Sequence, residues 1–103
     1  MESLGETIRK HREVNKLPLR TVAAYLDIDQ AILSKIERGQ RKASREQVIK
    51  LAKYFQSDAN IFLLAWLSDK LIGEVENEKL ALKAIVLAEE RIRHLTKRSK
   101  VAN

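Results

Sequence analysis

Lys35, Arg38, Arg41, Lys42, Arg45, Lys50 and Lys53 crowd into nineteen residues whose only acids are Glu37 and Glu46. The whole chain carries a formal charge of +6, so nearly all of the excess sits in this one stretch. Cations at such density suit a polyanion; charge alone leaves DNA, RNA, an acidic membrane surface and an ordinary solvated helical face all open. Other chemistry is poorly supplied. His11 and His94 lie far apart, no carboxylate–His or Cys–His cluster suited to catalysis or a metal is built around them, and there is no cysteine. No glycine-rich phosphate loop is present. These features argue against an enzyme, and no cofactor, metal or small-molecule ligand is expected.

The elements that must hold those cations are helices. A chain of 103 residues, 45% of them apolar, with one proline and three glycines, has a core to build and few breakers to build it with. The class expected is all-α. Acids and bases interrupt every apolar run near the start, and the longest apolar stretch, Ile61 to Leu67, is too short for a bilayer. A cytoplasmic protein without cysteine is the natural expectation.

Ser3 with Glu6 forms a capping-box pattern at the head of a first helix, Ser3 to Asn15. Pro18 opens a second, to Leu26, at the position where its missing N–H costs least, with Val22, Ala23 and Leu26 inward. After the turn Asp27-Ile28-Asp29, a third helix capped by Asp29 presents Ile32, Leu33 and Ile36 and stops at Gly39. Gln40 to Ala43 is a basic loop. Ser44 and Gln47 repeat the capping box ahead of a fourth helix, whose Val48, Leu51, Ala52 and Phe55 have the spacing of a buried face. A fifth helix, Ile61 to about Ile72, is apolar all round in its first two turns and calls for cover on two sides.

Gly73 and the acidic Glu74–Glu78 stretch read as a hinge before a last helix from about Asn77 to Arg98. Ala81, Ile85, Ala88, Ile92 and Leu95 follow one another at spacings of 4, 3, 4 and 3, a heptad seam. Glu76 and Glu78 at its start and Lys97 and Arg98 at its end complement the helix dipole, and Lys97 to Asn103 reads as a frayed basic tail. The seam, with Ile61 and Leu64, makes a homodimer the expected assembly, against the plainer reading of an amphipathic helix folded back on its own domain. The organisation expected is a domain over residues 1–68 and a helical extension over 69–103. A membrane-surface role fits poorly, because the seam lacks bulky aromatics and acids interrupt the polar face.

One window of twenty residues, Leu19 to Arg38, has a more specific pattern. Small Ala23 stands fifth, where two helices must cross closely, and Val22, Leu26, Ile28, Leu33 and Ile36 stand fourth, eighth, tenth, fifteenth and eighteenth. That layout buries a helix–tight turn–helix pair against a third helix. Together with Leu4-Gly5, Ile8-Arg9, Leu17, the run Leu33-Ser34-Lys35-Ile36-Glu37-Arg38-Gly39 and Val48-x-x-Leu51-Ala52, it resembles the Xre family of helix-turn-helix regulators, which includes lambda-type repressors and restriction–modification controllers. The resemblance spans roughly residues 4 to 67 and leaves out the last helix.

The resemblance implies a five-helix lambda-repressor-like DNA-binding domain, here with an additional C-terminal helix. It also implies a two-fold dimer on a palindromic operator in double-stranded DNA, with the third helix in the major groove. By position, Gln30, Ala31, Ser34 and Lys35 would face base edges, and Arg38, Arg41 and Lys42 would meet phosphates. Arg12 and Glu37 would form an internal ion pair. Three departures stand out. Leu19 occupies the place of a phosphate-gripping glutamine, for which Arg20 or Thr21 must substitute; Asp27 replaces the turn glycine; and Ile32 is apolar on a groove-facing helix, free either to touch thymine methyls or to pack inward. A controller- or repressor-like regulator working through its own concentration is the function expected. A toxin–antitoxin regulator and a helix-turn-helix module that binds only protein are the alternatives.

Overall fold

The computed structural model describes residues 2–102, with side chains through Arg98. The described residues form six α-helices and no strand: α1 (Leu4–Val14), α2 (Leu19–Leu26), α3 (Gln30–Glu37), α4 (Arg45–Tyr54), α5 (Ala59–Val75) and α6 (Ala81–Ala102).

Local sequence sets most of the helix ends. Ser3 Oγ accepts from the Glu6 N–H at 3.1 Å while the Ser3 N–H donates to Glu6 Oε1 at 3.2 Å, so the capping box of α1 closes in both directions. The same backbone N–H draws the Glu6 carboxyl below its ordinary pKa. Ser44 and Gln47 close an equivalent box on α4. Two caps differ from expectation. Pro18 is the N-cap of α2, one place ahead of its first helical position, and Asp29 occupies the N-cap of α3 in extended conformation without a side-chain hydrogen bond to the helix. Asp29 thus serves α3 through its backbone alone: its carbonyl accepts the Ile32 and Leu33 N–H groups at 3.0 and 3.2 Å, while its carboxylate caps none.

Asp27 makes the turn. Its φ of 56° and ψ of 47° are left-handed, and the Ile28 N–H returns to the Ala23 carbonyl at 3.1 Å, which reverses the chain tightly between α2 and α3. Gly39, at φ +73°, ends α3 similarly, with the Gln40 N–H donating to the Lys35 carbonyl at 2.8 Å. α3 packs on α2 and α1, and α2 packs on α4. Leu4, Ile8, Val22, Ala23, Leu26, Leu33, Ile36, Val48, Leu51, Ala52, Phe62 and Trp66 fill the core between them.

Past α4 the structure departs from the sequence reading. α5 runs through Gly73 to Val75, so that glycine is helical and the break falls at residues 76–80. Glycine lacks helix propensity by only about 1 kcal/mol relative to alanine, which a long helix tolerates. α6 therefore starts at Ala81 instead of Asn77, has no acid in its first turn, and loses the dipole complement expected from Glu76 and Glu78. The tail expected to fray from Lys97 is helical to Ala102, while Asn103 lies outside the described residues. The chain divides into a compact unit ending at Leu71 and a second beginning at Ile72, three residues beyond the boundary read from sequence.

Candidate nucleic-acid interface

α3 has two faces. Leu33 and Ile36 are fully covered, and Ile32 is half-buried against the same core, which answers the question its apolar side chain raised: Ile32 packs inward. On the opposite face Gln30, Ala31 and Lys35 are exposed and Ser34 half-exposed. Arg38, one residue past the helix, is exposed and folds back so that its Nε donates to the Ser34 carbonyl at 3.3 Å. Arg20 and Thr21 are exposed in the first turn of α2, whereas Leu19 is half-buried against the core. The leucine standing in the glutamine's place is thus a packing residue.

Electrostatics sharpen the outer face. Glu37, at the end of α3, would repel a polyanion if free. Instead Arg12 grips it in a two-pronged pair, Nε to Oε2 at 2.7 Å and Nη2 to Oε1 at 3.0 Å, and its Nη1 donates to the Leu17 carbonyl at 3.0 Å. With side chains only 14% and 6% exposed, one guanidinium ties α1, the α1–α2 loop and α3 together. The Glu37 hydrogen bond outweighs desolvation and raises the Arg12 pKa above its ordinary value, so on the arginine side the pair persists up to strongly alkaline pH. Helix approach is close at this point. A Cβ on Gly5 would run into the Glu37 carbonyl and lie 2.8 Å from the Ile36 carbonyl oxygen, so α1 crosses α3 over a bare backbone.

The seven clustered cations are not equivalent. Lys50 pairs with Glu46 at 3.4 Å, and the Arg45 guanidinium sits 5.2 Å from the centre of the Trp66 ring. Lys35, Arg38, Arg41, Lys42 and Lys53 enter no ion pair among the described residues. Four of these five lie on α3 or in the loop that follows it. That loop is anchored from beneath, because Ala43 is buried and its carbonyl accepts the Trp66 indole N–H at 2.8 Å. Lys70 Nζ lies 3.9 Å from the same ring, so two cations flank the indole. Arg41 and Lys42 are therefore exposed side chains on a segment with a fixed underside.

A family model described as helix-turn-helix matches residues 8–62, just over half of the chain. The chain belongs to the Xre-type, lambda-repressor-like helix-turn-helix family. This is a family of DNA-binding, typically regulatory and non-enzymatic proteins, and α2–turn–α3 is its motif in this chain. No curated protein and no solved structure matches the chain. The helix-turn-helix match ends at Phe62, near the start of α5, so the rest of α5 and all of α6 lie beyond it.

Two residues that build this helix-turn-helix unit were missed in the sequence. Trp66 carries the loop anchor described above. Asp69 Oδ2 accepts the Leu4 N–H at 2.9 Å, so α5 satisfies an orphan donor at the start of α1 from sixty-five residues away. A tryptophan four residues before Lys70 and an acid within an apolar helix were the only sequence signals. Of the residues expected to dimerise, Ile61 and Leu64 are exposed on α5, and Ile85, Ala88, Ile92 and Leu95 are exposed on α6; Ala81 is half-buried. No described helix is long and apolar enough to cross a membrane.

Proposed function

We propose that the protein is a sequence-specific transcription regulator that reads the major groove with α3 and acts as a homodimer on a palindromic operator. The observation that carries this reading is the pairing on one helix of an outer face of Gln30, Ala31, Ser34 and Lys35 with a run of uncompensated cations directly after it. Gln30 has the bidentate amide that matches adenine, Lys35 can donate to guanine, and the Ala31 methyl can meet a thymine methyl. Arg38, Arg41 and Lys42, with Arg20 and Thr21 at the start of α2, supply donors for phosphate and set the register.

Dimerisation is supported by apolar surface left uncovered. Phe62 and Trp66 of α5 are buried, but Ile61 and Leu64 are 53% and 67% exposed, so one side of its first two turns lacks a partner. The α6 seam of Ala81, Ile85, Ala88, Ile92 and Leu95 supplies a second surface of the same kind. A chain of this size, working as a switch of the controller or repressor type, would be governed by its own concentration through the monomer–dimer equilibrium. Selection of bound duplexes from a random pool tests the proposal. The expected product is a two-fold symmetric site with half-sites about one helical turn apart, 10–10.5 base pairs. Enrichment of no sequence, or of a single asymmetric element, would remove it.

A further inference from the structure

α6 lies outside the helix-turn-helix match, and the reading above uses only its apolar seam. Its second half has a different character. From Arg91 to Arg98, every residue off the seam is Arg91, Arg93, His94, Thr96, Lys97 or Arg98: four cations, no acid. All eight residues of this stretch are exposed. The acids nearest to it, Glu89 and Glu90, precede it, and Glu89 meets Arg93 at 3.1 Å in a pair whose side chains are 77% and 65% exposed. A pair so open to water holds the arginine weakly.

We propose that Arg91, Arg93, Lys97 and Arg98 form a second contact to duplex DNA, blind to sequence, with phosphate oxygens as the ligand. Arg91 and Arg98 are a heptad apart, about 10.5 Å along one flank of the helix, while Arg93 and Lys97, one turn apart, stand on the other flank, so the four cations together span the half of α6 turned away from the apolar seam. Exposed cations repeated along an axis meet a line of phosphates and carry no base information. Single-stranded RNA is the poorer fit, because α6 has no Phe, Tyr or Trp on which a base could stack. An acidic membrane is poorer again. Leu82, Val86 and Leu87 are exposed in the first half of α6 and the cations stand in the second, whereas an interfacial helix needs apolar and basic faces opposed along its whole length.

The inference rests on the DNA-binding reading and extends it to a surface outside the motif. The test is a full-length variant with Arg91→Ala, Arg93→Ala, Lys97→Ala and Arg98→Ala, alanine being the strongest helix former. It is titrated against a mixed-sequence 40-base-pair duplex over a range of potassium chloride. With about 0.9 unit of salt slope per phosphate contact, the slope should fall by about 2–4 units and affinity near 0.1 M salt by more than about tenfold. A second variant, Arg91→Lys, Arg93→Lys and Arg98→Lys, should keep slope and affinity, because a point charge suffices for phosphate. An unchanged slope in the alanine variant overturns the proposal. So does a loss confined to phosphatidylserine vesicles or to a single-stranded RNA oligonucleotide tested in parallel, or a loss shared by the lysine variant. A wild-type chain that binds no duplex at any salt overturns the DNA-binding reading itself, which is a separate result.

Discussion

The unit that ends at Leu71 and the unit that begins at Ile72 are both helical, yet their helices are held by different means. In the first, the short helices α2 and α3, eight residues each, would not survive alone in water. They persist because Val22, Ala23, Leu26, Leu33 and Ile36 are buried and because Arg12, Trp66 and Asp69 tie loops and helix ends across the fold. In the second, α6 has 22 residues. Leu82, Ile85, Val86, Leu87, Ile92 and Leu95 are all exposed on it, from 36% to 80%. Its helicity draws on length and propensity, and its apolar surface is uncommitted. The contrast teaches where change is tolerated. Substitutions in the first unit act through packing and polar closure; on the reading proposed above, those along the α6 seam act on association.

The largest break in that contrast should come from Glu37→Gln. It leaves the Arg12 charge beneath the surface without its partner, and breaking a buried pair from one side costs about 3–5 kcal/mol. Urea unfolding should show the loss directly, and an unchanged midpoint would mean that the pair contributes no more than a surface one. Gly5→Ala comes next. The added methyl meets the carbonyls of Ile36 and Glu37, so the α1–α3 crossing must widen, at about 1–3 kcal/mol. Equal stability of the two proteins would show that the crossing has slack.

How far these features were legible in the sequence follows from how far apart their parts lie. The capping boxes of Ser3 with Glu6 and Ser44 with Gln47 span three residues, and both were readable as pattern. The turn at Asp27 was readable too, since few residues other than glycine accept a left-handed backbone. Trp66 to Ala43 and Asp69 to Leu4 are contacts of tertiary packing, and no local pattern announces a partner twenty-three or sixty-five residues away. Gly73 misled because a breaker is a statement of propensity, whereas the run of helix formers on either side decides the outcome. Ile32 was ambiguous because apolar character suits a thymine methyl as well as a core; only the fold distinguishes them. The outer face of α3 came from family resemblance, not from periodicity, which shows what is buried and is silent about what the rest touches.

Trp66→Phe sharpens the comparison at smaller scale. The ring volume largely survives, but the Ala43 carbonyl loses its donor in a buried place, worth about 1–3 kcal/mol. The loop bearing Arg41 and Lys42 should loosen, so binding to DNA of any sequence should weaken together with stability. Stability lost without any change in binding would mean that the anchor does not govern the loop. The smallest effect on the fold belongs to Ile85→Ala with Ile92→Ala in α6. Exposed positions outside a core shift stability by less than about 0.5 kcal/mol, so the unfolding midpoint of the first unit, followed at Trp66 in dilute protein, should stay where it is. Sedimentation should show weaker association. A large fall in that midpoint would show that the seam residues serve the fold and not association.

The central claim is that α3 reads and the loop after it grips, and paired titrations on a selected site and on random duplex test it most directly. Gln30→Ala and Lys35→Ala should each lose about 1–3 kcal/mol on the selected site and almost nothing on random DNA. Arg41→Ala should weaken both alike and flatten the salt dependence by about one unit of slope. Equal losses on the two DNAs for Gln30→Ala and Lys35→Ala would contradict the account, because α3 would then be another cationic surface and not the reader.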